Sequence, residues 1–190
     1  MGAGPSFHYP TKEFAVTRRS RIILTTLAFV GLSGLATFAA APGNPKAVSE
    51  SGGLSTDKDG SPTYNIGKDG TVDWGTFIGY MRYSDNCLRC HGPDGSGSSY
   101  APDLAQALQQ IDYAQFIADV AGGIKAVNTA QDLVMPSFAD NKNVMCFIQE
   151  IYSYLRARST GALGRGRPAK IAPEPKGFDE ASYKCLGIPQ

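Results

Sequence analysis

Histidine is almost missing from this 190-residue chain, which holds only His8 and His91. Cysteine is sparse at four residues, and tryptophan occurs once. Neither sign of charge is in excess: 18 Lys/Arg stand against 17 Asp/Glu, for a net charge of +1. A chain so balanced offers no basic surface for nucleic acid, and no nucleic-acid partner is expected. There is also no convincing series of buried strands alternating with helices, which argues against a parallel-sheet fold. What is present is a tight cluster, "SDNCLRCHGPDGSG", running from Ser84 to Gly97.

Residues 1–41 read as an export segment. Lys12, Arg18, Arg19 and Arg21 precede an uncharged run from Ile22 to Ala41, which ends in small residues. That order is the pattern of a cleaved signal peptide. The run is also long enough for an uncleaved membrane anchor, which takes about 20 residues. Either reading carries the rest of the chain out of the cytoplasm, and a periplasmic location is expected. Without this segment, which holds four of the basic residues and one acidic residue, the net charge becomes −2.

The remainder divides into three parts. Residues 42–72 are rich in Gly, Ser, Asp and Lys and read as an N-terminal extension of turns. The "DKDG" at Asp57 lacks the sixth-position glycine and closing glutamate of an EF-hand, so it reads as a plain turn. Residues 73–158 carry the helical signals. Asp73 is a suitable N-cap for a helix through Ser84, with Trp74, Phe77, Tyr80 and Met81 at helical spacing. Gly79 in its middle is unfavourable for a helix and is explained if another helix crosses there. A second helix is expected from Asp112 to Gly123, with Phe116, Ile117 and Val120 facing inward. "VNTAQDLVMPSFADNKN" reads mainly as loop. The strongest helix spans Asn143 to Arg158, with Val144, Ile148, Ile151 and Leu155 forming one apolar stripe. Residues 159–190 form a Gly- and Pro-rich tail.

Cys87, Cys90 and His91 make up Cys-x-x-Cys-His, the attachment signature of c-type haem. Two residues between the thiols let one helical turn present both sulfurs to the porphyrin vinyl groups, and the adjacent imidazole reaches the iron. A zinc site would want a second pair of ligands at short spacing, whereas Cys146 and Cys185 are far apart. A thioredoxin-like dithiol would be expected near a βαβ pattern. A Cys87–Cys90 disulfide would leave His91 without a task. One covalent haem c is the expected cofactor.

The sixth ligand follows by elimination. His8 lies in the export segment, so no second histidine is at hand. Met81 sits on the helix leading into the motif, and Met145 lies off the stripe of the last helix. Met135, in a loop and followed by Pro136, is the candidate, against the commoner role of Met as core filler. His91/Met135 ligation to the metal would raise the reduction potential and fill the coordination sphere. An electron-transfer protein is then expected, with no catalytic residues. A haem enzyme or sensor with an open sixth site is the contrasting reading.

The run from Trp74 to Arg158 resembles the class I c-type cytochromes. Gly79 and Tyr83, eight and four residues before Cys87, match the glycine–aromatic spacing of that family's first helix. Pro102 is similar to the proline whose carbonyl holds the proximal histidine ring. The resemblance implies an all-α fold, a small helical domain wrapped round one haem, here with irregular extensions at both ends. "CHGPDGSGSSYAPDL", "AVNTAQDLVMPSFADNKNVMCFI" and "YLRAR" further resemble cytochrome cL and the four-cysteine c-type cytochromes of methanol metabolism. That likeness implies a monomeric carrier taking electrons from a PQQ-dependent alcohol (methanol) dehydrogenase and passing them to a downstream cytochrome c or oxidase. A general shuttle to a terminal oxidase is the alternative. The late cysteines fit the four-cysteine group. On a helical wheel Cys146 falls opposite the apolar stripe, beside Gln149, Glu150 and Ser153. A Cys146–Cys185 disulfide would strap the tail across that face in an oxidising compartment. Two free thiols, or a bridge to another protein, are the alternatives.

Overall fold

The computed structural model describes residues 46–127 and 132–189. The export segment expected at residues 1–41, with His8, lies outside them. Among the described residues no helix is long and apolar enough to cross a membrane.

The frame is helical. Helix α1 (Trp74–Asn86) begins where expected, with the Asp73 carboxylate accepting from the Thr76 amide. Short α2 (Leu88–His91) and α3 (Leu104–Ala107) follow. Helix α4 (Tyr113–Gly122) is capped by Asp112 and buries Phe116 and Val120. The helix expected over Asn143–Arg158 is broken in two, α5 (Lys142–Met145) and α6 (Ile148–Ser159). The break falls at Phe147, whose φ of −125° and ψ of 21° leave helical geometry while its ring is buried.

Helices α1 and α6 cross at Gly79. A Cβ at that position would lie 1.9 Å from the Glu150 carbonyl oxygen, so only glycine permits the approach. Tyr154 packs beside the crossing against Tyr80 and Tyr83, at centroid distances of 5.6 and 5.4 Å. The core continues through Ile151, Leu155, Val144, Val120 and Phe116.

Two parts of the chain depart from the sequence reading. Residues 42–72 are not merely turns. Strands β1 (Ser49–Ser51), β2 (Leu54–Thr56) and β3 (Pro62–Thr63) form an antiparallel sheet. Ser55, Asp57, Thr63 and Val72 are fully or almost fully buried. The "DKDG" is a turn, but its Asp57 has a structural task. It accepts from the amides of Asp59 and Ser61, both at 2.9 Å, and pairs with buried Arg156 at 2.9 Å. Arg156 also donates to the Pro62 carbonyl at 2.9 Å. The second departure is a hairpin in the expected loop, β4 (Ile124–Val127) with β5 (Asp132–Met135). Its four-residue strands are too short to announce themselves by alternation.

The tail lies against the N-terminal layer. The Val72 amide donates to the Lys170 carbonyl at 3.0 Å, and the Ala172 amide to that of Val72 at 2.9 Å. The tail ends in a further helix, α7 (Phe178–Leu186), with Phe178 edge-on to Trp74 at 5.9 Å. Cys185 of α7 is joined to Cys146 by a disulfide. Helix α6 therefore has no solvent face of the expected kind: every residue from Ile151 to Ala157 is buried, Ser153 included. Among its polar positions Ser153 and Arg156 are buried, while Gln149 stays exposed. The fold is predominantly helical, with small β elements at its margins.

Candidate haem-binding site

The motif forms on the turn that continues α1. The Cys87 amide donates to Tyr83 at 2.8 Å, and the His91 amide to Cys87 at 2.9 Å. Cys87 is half-buried against the core, whereas Cys90 is exposed. Burial pushes the Cys87 thiol up to about 12.

His91 is buried, with Nδ1 3.0 Å from the Pro102 carbonyl oxygen. That carbonyl can only accept, so Nδ1 donates to it, and in the neutral ring the lone pair is then on Nε2. A partner of this sort fixes the tautomer and ring plane of a metal-bound histidine. The loop between them is tightly drawn. Gly92 has a φ of 72°, and a Cβ there would lie 2.3 Å from the Gly97 carbonyl oxygen. The Tyr83 hydroxyl, fully buried, donates to the Gly92 carbonyl at 2.5 Å. The Gly97 amide donates to the His91 carbonyl at 2.8 Å, and Ser98 Oγ donates to that of Cys90.

Met135 closes strand β5 opposite Ile124 and packs, half-buried, against the same core that Cys87 touches. The segment behind it is fastened to α4. The Phe138 amide donates to Val120 at 3.0 Å, and Ser137 Oγ to Ala121 at 2.5 Å. Gly123, with a φ of 72°, leaves space that a Cβ would take at 2.6 Å from the Met135 carbonyl. Of the other two methionines of this region, Met81 Sδ accepts from Arg167 of the tail at 3.2 Å, and Met145 is half-buried against the core as Met135 is.

The Cys87–His91 turn suits a c-type haem: two thiols on one helical turn and an imidazole whose Nδ1 is held by Pro102. Sequence reasoning missed three residues beside this set. Asp94 sits in the loop after His91, and its contacts come from Arg158 and Arg165. The available signal was the "PDG" triplet, since Asp between Pro and Gly tolerates a left-handed turn.

No protein-family model matches the chain. It is 51% identical over 125 residues to cytochrome c-553I of Paracoccus denitrificans, covering 66% of this chain and 55% of that protein. The chain therefore spans little more than half of that relative's length. It is 34% identical over 100 residues to cytochrome c-555 of Methylococcus capsulatus, covering 52% of this chain and 75% of the relative. Among solved structures, the c-type cytochrome XoxG of Methylobacterium extorquens AM1 matches with a TM-score of 0.68 and 46% identity. That match covers 75% of this chain and 87% of XoxG. Together with the glycine-mediated α1–α6 crossing and the His91–Pro102 contact, these likenesses establish that the chain belongs to the class I c-type cytochromes.

Proposed function

We propose that the protein is a periplasmic electron carrier holding one covalent haem c and accepting single electrons from a PQQ-dependent methanol or alcohol dehydrogenase. The observation that carries the haem reading is the His91 Nδ1–Pro102 contact, which leaves Nε2 as the ring's only free ligand atom. When bound, haem c supplies a one-electron ferric/ferrous couple. Cys87 and Cys90 would hold the group through thioethers. His91, fixed in orientation by Pro102, would offer Nε2 to the iron. Met135 would offer its thioether from the end of β5, whose following segment is fastened to α4. A thioether favours the ferrous state and sets the couple above a bis-nitrogen site. The dehydrogenase partner is supported by the likeness of the "AVNTAQDLVMPSFADNKNVMCFI" stretch to the methanol-metabolism cytochromes. The export pattern of residues 1–41 supports the compartment, as does the Cys146–Cys185 bridge. Onward transfer to a second cytochrome c or an oxidase completes the role.

Intact mass of the purified protein tests the covalent haem. Met135→Ala tests the ligand: the ferrous variant should bind carbon monoxide and lose the Met–iron charge-transfer band. An unchanged spectrum would refute the assignment. Stopped-flow reduction by methanol dehydrogenase with methanol tests the partner. Fast reduction is expected; reduction no faster than by an unrelated quinoprotein would remove the methanol link.

A further inference from the structure

The loop after the haem motif contains a residue that the haem reading does not use. Asp94 is only 8% exposed. It adopts φ 61° and ψ 18°, and among the described residues it is the one non-glycine with positive φ. Glycine would take this conformation at no steric cost, and a buried carboxylate needs compensation. Both come from one stretch of chain. The Gly166 amide donates to the carboxylate at 2.9 Å, and Arg165 Nε donates at 3.2 Å. Arg158 Nε donates to the Asp94 backbone carbonyl at 3.2 Å, while its Nη1 donates to Leu163 at 2.5 Å. The first turn of the tail is thus folded back and fastened to the loop beside His91.

The same loop also holds the ring. Gly95 lies against Leu155 and Leu104, with a virtual Cβ 3.0 and 3.6 Å from them. Gly97 bonds the His91 carbonyl and abuts Pro102 and Asp103. Pro102 in turn holds His91 Nδ1. Asp94 is therefore three residues from His91 along the chain, in the loop whose Gly97 amide bonds the His91 carbonyl. Its charge is buried, while the Arg165 side chain that balances it is 68% exposed.

We propose that Asp94 is a positioning residue for the His91 ligand, and that Arg165 sets how much of its negative charge reaches the haem iron. The inference rests on the haem reading above. A buried carboxylate in the loop that holds the ligand would stabilise the ferric state and lower the potential; its partner cation would offset part of that. Removing one or the other should then move the potential in opposite directions.

Redox titration of the holoprotein and two variants tests this. Asp94→Asn keeps a residue tolerant of positive φ and an acceptor for the Gly166 amide, but removes the charge. Its potential should rise. Arg165→Gln leaves the carboxylate without its cation and changes an exposed side chain, so folding is preserved. Its potential should fall. Amide exchange at Gly166 should stay slow in Arg165→Gln, showing that the tail remains docked. Potentials that shift in the same direction, or do not shift while thermal midpoints drop, would overturn the proposal and leave a purely structural clasp. The intact mass of the wild-type protein is read first, so an absent haem is distinguished from a failed inference.

Discussion

The α1–α6 crossing and the layer built from the two chain extensions solve the same problem by different means. Both cover a face of α6. At the crossing, coverage depends on shape: Gly79 lets two backbones meet, and Tyr80, Tyr83 and Tyr154 fill the flanks. In the outer layer, coverage depends on discrete links, namely the Asp57–Arg156 pair, the paired backbone at Val72, and the Cys146–Cys185 bridge. The first kind of packing tolerates no added volume. The second tolerates changes of volume but not the loss of a link.

Substitutions can break this contrast, the largest effect being expected at Arg156. Arg156→Ala strands the Asp57 carboxylate, which is 0% exposed, and should cost about 3–5 kcal/mol in chemical denaturation. An effect below 1 kcal/mol would mean that the outer layer is held by something else. Gly79→Ala pushes a methyl into the Glu150 carbonyl and should cost about 3 kcal/mol. A neutral result would show that the helices slide apart freely, contrary to a shape-limited crossing. The double variant Cys146→Ser/Cys185→Ser should lose about 2–3 kcal/mol, with α7 becoming sensitive to protease before the rest. Uniform sensitivity would deny the outer layer its separate character.

The smallest effect concerns Glu150, which lines a cavity of about 260 Å³ between α6, β2 and α7. Burial pushes its carboxyl up to about 7, with the Arg82 guanidinium pulling the other way. The folded protein then holds a proton there that the unfolded chain has released. This contribution to stability is full below about 4.5 and is lost as pH rises through about 7. Glu150→Gln should flatten the pH dependence of the denaturation midpoint over that range. An unchanged slope would place the titration elsewhere.

Sequence signals were strong where one residue does a local job. Asp73 and Asp112 announce their helices because capping is read within four residues. Gly79 betrays a helix crossing because nothing else justifies it in a helix. Cys87, Cys90 and His91 stand together on one turn, and Pro102 lies within the same loop. The outer layer was not legible in this way. "SES", "LST" and "PT" are short and polar; β2 and β3 become strands where they pack against α6, and exposed β1 pairs with β2 at the edge. Ser153 looks like a surface residue by composition and is 0% exposed, since the covering comes from distant chain. The break at Phe147 was hidden for a similar reason: its buried ring, under the Arg82 guanidinium at 3.9 Å, overrides a helical pattern. Asp94 was missed because its partners lie about seventy residues further along.

The enclosure of α6 also bears on the order in which the molecule can be made. Arg156 reaches the Pro62 carbonyl across 94 positions of sequence, and Arg165 reaches Asp94 across 71. Contacts that close such long loops form late, after the local turns and helices. The motif turn at Cys87–His91, by contrast, needs only its own neighbours. A nascent chain can therefore offer its two thiols for modification while both extensions are still free, and the clasp at Arg156 shuts only once α6 has arrived.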